Sequence, residues 1–338
     1  MADQAEAALV VLRTPTDDEP LEVLPDLEEL EEITGLENDP ARIELGRMLF
    51  HDTRLSKDFT VSCATCHDLR FGGIDRFARA VGIYGQVGPV NTPTVFNAAL
   101  SVAQFWDGRA QDLQEQAGGP PEAAGEMGSD FDEIVARIQQ DRAYVAAFAK
   151  AFDDVEGEDD IDRDHILEAI ATFELTLVTP DAPFDRWLEG DEGALNESQL
   201  RGYALFKHVG CTECHYGEAA GGKAFQKLGR AKDYFTDRAV MHADLGRFNV
   251  TKDERDRHMF KVPSLRNVAV TSPYFHDGSV ATLAQAVREM ADHQLGIELD
   301  ERDTGDLVAF LRSLTGTYQG RPLLPPLPSA GQPEEQGK

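Results

Sequence analysis

Apolar residues recur along the chain at helical spacing, in stripes separated by text rich in Gly, Pro and acidic residues. The first stripe follows Asp39-Pro40, a cap and first-turn pair, and carries Ile43, Leu45, Leu49 and Phe50. Phe131, Ile134 and Ile138 make the next, then Tyr144, Phe148 and Phe152, then Ile166, Ile170, Phe173 and Leu177. Beyond the break at Pro180 to Pro183, Asn196 with Gln199 reads as a capping pair, opening a helix through Leu200, Tyr203 and Phe206 to Gly210. Thr282 with Gln285 opens another, with Leu283, Ala286, Val287 and Met290 on one face and a stop at Gly296. The last carries Leu307, Phe310, Leu311 and Leu314. No period-2 run of any length appears, so the expected class is mainly α.

Between the stripes the text changes character. From Phe71 to Gly125, repeated Gly and Pro break any long element. Residues 1–38, rich in Asp, Glu and Pro, read as an extended or disordered leader, and residues 317–338 as a Pro/Gly-rich tail that lies over the first domain or is loose. Two domains are expected between them, 39–182 and 183–316.

Charge narrows the partners. The 338 residues carry 61 acidic against 32 basic side chains, a formal charge of -29. Such a surface repels nucleic acid and anionic membranes and attracts basic partners, unless it serves solubility alone. No run approaches the roughly 20 apolar residues of a membrane span.

All four cysteines fall in two short runs, Cys63-Ala-Thr-Cys66-His67 and Cys211-Thr-Glu-Cys214-His215. Cys-x-x-Cys-His is the attachment signature of a c-type haem: the thiols add to the porphyrin vinyl groups, and the adjacent His binds the iron. A shared tetrahedral zinc site is the competing reading, but zinc pairs usually lie closer together and need no His after each pair. Each half then repeats one order: helix, Cys-x-x-Cys-His, irregular wrap, helices. That is the outline of a cytochrome c-like module used twice. Covalent haem attachment takes place on the outer side of the bacterial inner membrane, whereas the first residues show neither a basic nor an apolar signal region. The expectation is a mature periplasmic protein whose signal was removed or whose start is misplaced.

Over about residues 40–316 the sequence resembles the bacterial di-haem cytochrome c peroxidases, including the MauG-type enzymes. The resemblance rests on Leu49 to Ser56, both haem runs, GPVNTPTVFNA from Gly88 to Ala98, QFWDGRA from Gln104 to Ala110, Gly125-Glu126-Met127, and FKVPSLRNVAVTSPYFHDG from Phe260 to Gly278. It implies that His67 is the proximal ligand of a peroxidatic haem and His215 that of an electron-transfer haem. Met290 would be the second ligand of the latter; a thioether there favours ferrous iron and suits an electron reservoir. Met259 and Met241 are its competitors. Trp106 would bridge the haems, and Glu126 would act as acid and base on peroxide, with Gln116 and Pro120 lining its pocket. Asn91, Thr271 and Pro273 would hold a calcium ion between the domains, and His276 would serve a haem propionate or the packing beneath it.

One departure stands out. Many members carry in the glycine loop a His that blocks the peroxidatic iron; here that position is Ile83, and no His occurs between His67 and His165. This favours an iron open to peroxide without prior reduction, as in MauG-type members, although those usually place Tyr where Met290 stands. The expected function is reduction of hydrogen peroxide with electrons from a small c-type cytochrome or cupredoxin. A MauG-like oxidase acting on a partner protein and a plain di-haem electron carrier are the alternatives, with a homodimer as a further expected association.

Overall fold

The structure, a computed structural model, describes residues 14–16 and 18–323. Helix α1 spans Leu27–Thr34, opened by a capping box between Asp26 and Glu29 and closed by Gly35 in the left-handed region. Part of the segment expected to be a loose leader is therefore folded. Leu30 is buried with Leu24, Leu100, Leu175 and Ala219, and Leu21 bridges to Gly217. Glu19 pairs with Lys207 at 2.8 Å and accepts a hydrogen bond from Tyr203, while the buried Arg266 guanidinium donates to the Glu22 carbonyl at 2.6 Å. The acidic composition hid an alternation of leucines that finds apolar cover only in the tertiary fold. Residues 1–13 of the expected leader lie outside the described residues.

Helix α2, Pro40–Phe50, begins as the Asp39-Pro40 pair predicts, with the Asp39 carboxylate accepting from Arg42 N–H. After a long irregular stretch come α3, Phe131–Gln139, α4, Arg142–Ala151, and α5, Arg163–Leu175. The second half has α6, Pro183–Leu188, α7, Glu197–His208, α8, Leu283–Met290, and α9, Glu301–Arg312. Past Met290 the chain continues as a π-helical turn over Ala291–Leu295, a form that often marks functional sites, before the expected stop at Gly296. His165 is largely covered, with its ring edge against Phe152 and Asp162 and Asp154 beside its nitrogens.

The two halves share one packing device. Helix α2 crosses α5 at Gly46, where a Cβ would sit 1.8 Å from the Ala169 carbonyl oxygen; α7 crosses α9 at Gly202, where it would sit 1.9 Å from that of Asp306. Beside each crossing an aromatic pair closes the contact, Phe50 with Phe173 at 5.3 Å and Phe206 with Phe310 at 5.1 Å. Gly46→Ala and Gly202→Ala should each lower stability by at least about 1–3 kcal/mol, because a backbone carbonyl cannot give way. Denaturant unfolding of the holoprotein measures this; an unchanged midpoint for either variant refutes close approach at that crossing.

Strands are few and short. β1, Phe225–Lys227, pairs antiparallel with β2, Met259–Lys261, in the register Gln226 to Phe260. β3, Thr317–Tyr318, pairs with β4, Arg321–Pro322, so the start of the tail is a hairpin. Leu323 and Tyr318 pack against Phe50 and Phe96 of the first half. Residues 324–338 lie outside the described residues.

At the centre of the molecule the halves meet around Thr179. Asn97 and Asn267, both in the left-handed region, each donate from the side-chain amide to the Thr179 hydroxyl at 2.9 Å. The Asn97 side-chain oxygen accepts from Thr179 N–H and that of Asn267 from Gly316 N–H, both at 3.1 Å. All of these groups are buried, so the joint is paid in satisfied hydrogen bonds rather than in apolar area.

Candidate functional site

Each Cys-x-x-Cys-His run begins as a single helical turn, Cys63–Cys66 and Cys211–Glu213, and leaves its His on irregular backbone. In both, the His N–H donates to the carbonyl of the first Cys, at 2.9 Å for His67 and 3.0 Å for His215. The rings are fixed alike: Nδ1 lies 3.1 Å from the Gly73 carbonyl oxygen in His67 and 3.2 Å from that of Ala220 in His215. A carbonyl can only accept, so Nδ1 carries the proton and Nε2 keeps a free lone pair, the arrangement of an iron-binding imidazole. Burial holds His67 below its ordinary range and pulls His215 down to about 4, so both rings are neutral. Burial likewise pushes the Cys66 and Cys211 thiols up to about 12.

No cysteine is paired in a disulfide, and among the described residues no three His, Cys, Asp or Glu side chains converge on one metal-binding point. The two Cys pairs therefore do not build a shared zinc site.

The second run opens onto a cavity of about 1330 Å³, mouth included. Cys211, Cys214, His215 and Met290 line it, together with Trp106 and His276. Its remaining wall is chiefly apolar, with Leu265, Val268, Leu283 and Val287. Two thiols, one imidazole with a free nitrogen and one thioether around an apolar space fit a covalently held haem. The loop beside it needs Gly221, where a Cβ would stand 2.4 Å from the Pro263 carbonyl oxygen and 3.3 Å from the His215 ring. Of the competing methionines, Met241 is 56% exposed, and neither it nor Met259 borders this cavity.

Around the first run the neighbours are Phe50, Val95, Phe96 and Phe173, which pack with Cys63. Glu126 reaches the same neighbourhood: burial is the main cause of the raised Cys63 and Cys66 pKa values, and the Glu126 charge adds to both. Burial raises the pKa of Glu126 itself, opposed by the charge of Arg109. The Glu126 loop is tight, with its N–H donating to the Ala123 carbonyl at 2.9 Å and that of Met127 to Pro120 at 3.3 Å. Gln116, on the turn Leu113–Ala117, and Pro120 are half-buried just before it. Ile83 meets this loop from the other side. Its N–H donates to the Glu126 carbonyl at 2.8 Å, and its side chain, 3% exposed, packs in the core with Met127.

Trp106 borders the large cavity and also a second one of about 860 Å³ between the halves. Its indole N–H donates to the Asn91 carbonyl at 2.9 Å. Asn91, Thr271 and Pro273 all line this second cavity, where no carboxylate accompanies them. Neutral oxygens alone make a weak calcium site, so the donor set fits only with charge or water supplied from elsewhere. His276 lines the large cavity with its ring against Phe260 at 4.4 Å, as expected of a packing role, and its Nε2 lies 2.7 Å from a carboxylate oxygen of Asp244. This nitrogen is occupied within the protein.

Three polar residues escaped the sequence reading, Glu174 and Asp244 buried and Lys261 half-buried. Glu174, whose carboxyl burial pushes up to about 8, lies near enough to act on Cys63. Asp244 pairs with His276, and Lys261 stands between the two cavities. In so acidic a chain, neither a lone Glu or Asp nor a Lys in a short strand signals burial.

A mainly helical scaffold that presents two such histidines, each after a Cys-x-x-Cys pair, has the ligand set of a protein that carries two haems. The sequence profile of the di-haem cytochrome c peroxidase family matches residues 40–193. The chain is 50% identical over 284 residues to the cytochrome c peroxidase Ccp of Escherichia coli, covering 84% of this chain and 60% of that one. It is 48% identical over 288 residues to the cytochrome c551 peroxidase of Nitrosomonas europaea, covering 84% and 83%. A solved structure of a MauG-like protein associated with microbial copper homeostasis superposes with a TM-score of 0.75 at 28% identity, over 89% of this chain and 95% of that one. The chain belongs to the di-haem cytochrome c peroxidase family, and membership implies two c-type haems. Among the described residues no helix is long and apolar enough to cross a membrane.

Proposed function

We propose that the chain reduces hydrogen peroxide to water beside Cys63–His67, with electrons from a small c-type cytochrome or cupredoxin entering beside Cys211–His215. The observation that carries this reading is Glu126, a half-buried carboxyl of raised pKa whose charge reaches the first run. Haem bound at the two runs would supply redox-active iron at both sites. Around it, the Gly73 and Ala220 carbonyls orient the two imidazoles, and Met290 offers a thioether in the cavity that His215 shares. Glu126 takes the proton from one peroxide oxygen and returns it to the departing one. Trp106, on the wall of both cavities, provides an aromatic path between the halves. Asn91, Thr271 and Pro273 contribute to a calcium site completed by water, and the protein works in the periplasm, where c-type haem is attached.

Relatives named as cytochrome c peroxidases are 48 and 50% identical, against 38 and 35% for two relatives named as methylamine utilization protein MauG, which favours the peroxidase reading over the MauG-like one. Steady-state turnover of peroxide with a reduced cytochrome as donor tests the proposal; a di-haem preparation that leaves the donor reduced refutes it.

Ile83 bears on activation. A core-packed isoleucine offers iron no ligand, so the fully oxidised protein should show a high-spin ferric signal beside a low-spin one and bind cyanide without prior reduction. EPR of the oxidised protein decides this, and two low-spin signals alone would mean that another side chain blocks the iron.

A further inference from the structure

Lys261 ends β2, and its N–H donates to the Trp106 carbonyl at 2.9 Å, which ties the strand to the Trp106 loop. Its side chain lines both cavities and is the charged group among the described residues lining either one. An ammonium has three donors. Here one reaches the Ser101 hydroxyl at 3.1 Å, and no carboxylate of the described residues pairs with it. The area of Lys261 that remains accessible opens onto the cavities, and the surrounding protein pulls its pKa down to about 8. A desolvated cation with one neutral partner is costly unless an anion completes it. In a chain with a net charge of -29, a cation kept apart from every carboxylate of the described residues is the more telling.

The anion follows from the chemistry of the occupant. A porphyrin of the haem type bears two propionate carboxylates, and the cavity of His215 and Met290 offers Lys261 as their cationic partner, His276 being engaged with Asp244. We propose that Lys261 holds a propionate of the haem attached at Cys211–His215, and that this ion pair sets how readily that haem accepts its electron. The proposal rests on the reading above that this cavity carries a haem. Lys261 is thus a positioning residue. A nearby cation stabilises the more electron-rich ferrous state, so removing it favours the ferric one.

The test uses the purified di-haem protein, with haem counted per chain by the pyridine haemochrome spectrum and both potentials read by spectroelectrochemical titration. Lys261→Met keeps the volume of the buried stem, and Lys261→Gln keeps a polar end; either alone suffices should the other not accumulate. Each should lower the one-electron reduction constant of the His215 haem at least tenfold, a fall of about 59 mV. The charge-preserving Lys261→Arg should stay within threefold of the wild type, and Ser101→Ala should leave the potential where it is. Unchanged potentials in both neutral variants overturn the proposal, as does an equal fall in Ser101→Ala, which would assign the effect to packing at the shared wall. A wild-type chain with no haem at Cys211–His215 would instead remove the functional reading beneath it.

Discussion

Glu126→Gln is expected to leave both haems attached while slowing the reaction with peroxide by roughly 10²-fold or more, the usual loss when a general acid–base group is removed. The substitution is nearly isosteric, so the loop held by the Ala123 and Pro120 carbonyls keeps its hydrogen bonds. What changes is that an amide cannot carry the proton between the two peroxide oxygens. The pH profile supplies an independent check. Burial raises the Glu126 pKa, so the wild type should lose its base form as pH falls through a value above that of an ordinary carboxyl. That acid limb should vanish in Glu126→Gln. Stopped-flow mixing with peroxide reads both effects, and a rate equal to that of the wild type would reduce Glu126 to a pocket wall.

Met290→Ala should remove the electron reservoir. Loss of the thioether takes away the ligand that favours ferrous iron, and the potential of the second haem should fall on the order of 100 mV or more, at about 59 mV per tenfold step. The cavity tolerates the change, since α8 keeps its Thr282 cap and its other apolar contacts. Turnover with a donor of moderate potential should drop with it. A redox titration with both potentials unchanged would exclude Met290 as a ligand.

The helices were legible because their apolar periodicity and caps are local signals: Asp39-Pro40, Asn196 with Gln199 and Thr282 with Gln285 all open helices where they should. Cys-x-x-Cys-His was legible because two thiols and a ligand at fixed spacing serve little else. The acidic start misled, since Leu21 and Leu30 find partners nearly two hundred residues away or in the irregular stretch, beyond any periodic pattern. The partner of His276 was not legible for a related reason: nothing near it in sequence announces Asp244, which arrives from another loop. Lys261 and Glu174 could not be singled out, because burial of a charge is a property of the assembled fold.

The Thr179 joint has a further consequence for electron transfer. Tunnelling rates fall exponentially with separation, so a hinge that opened and closed would make the exchange between the two halves erratic. With one hydroxyl receiving both Asn97 and Asn267, neither half can swing without leaving a buried amide unsatisfied. On the proposed function the clasp would hold the two halves at a fixed spacing, and the pace of internal electron exchange should then depend little on solvent viscosity.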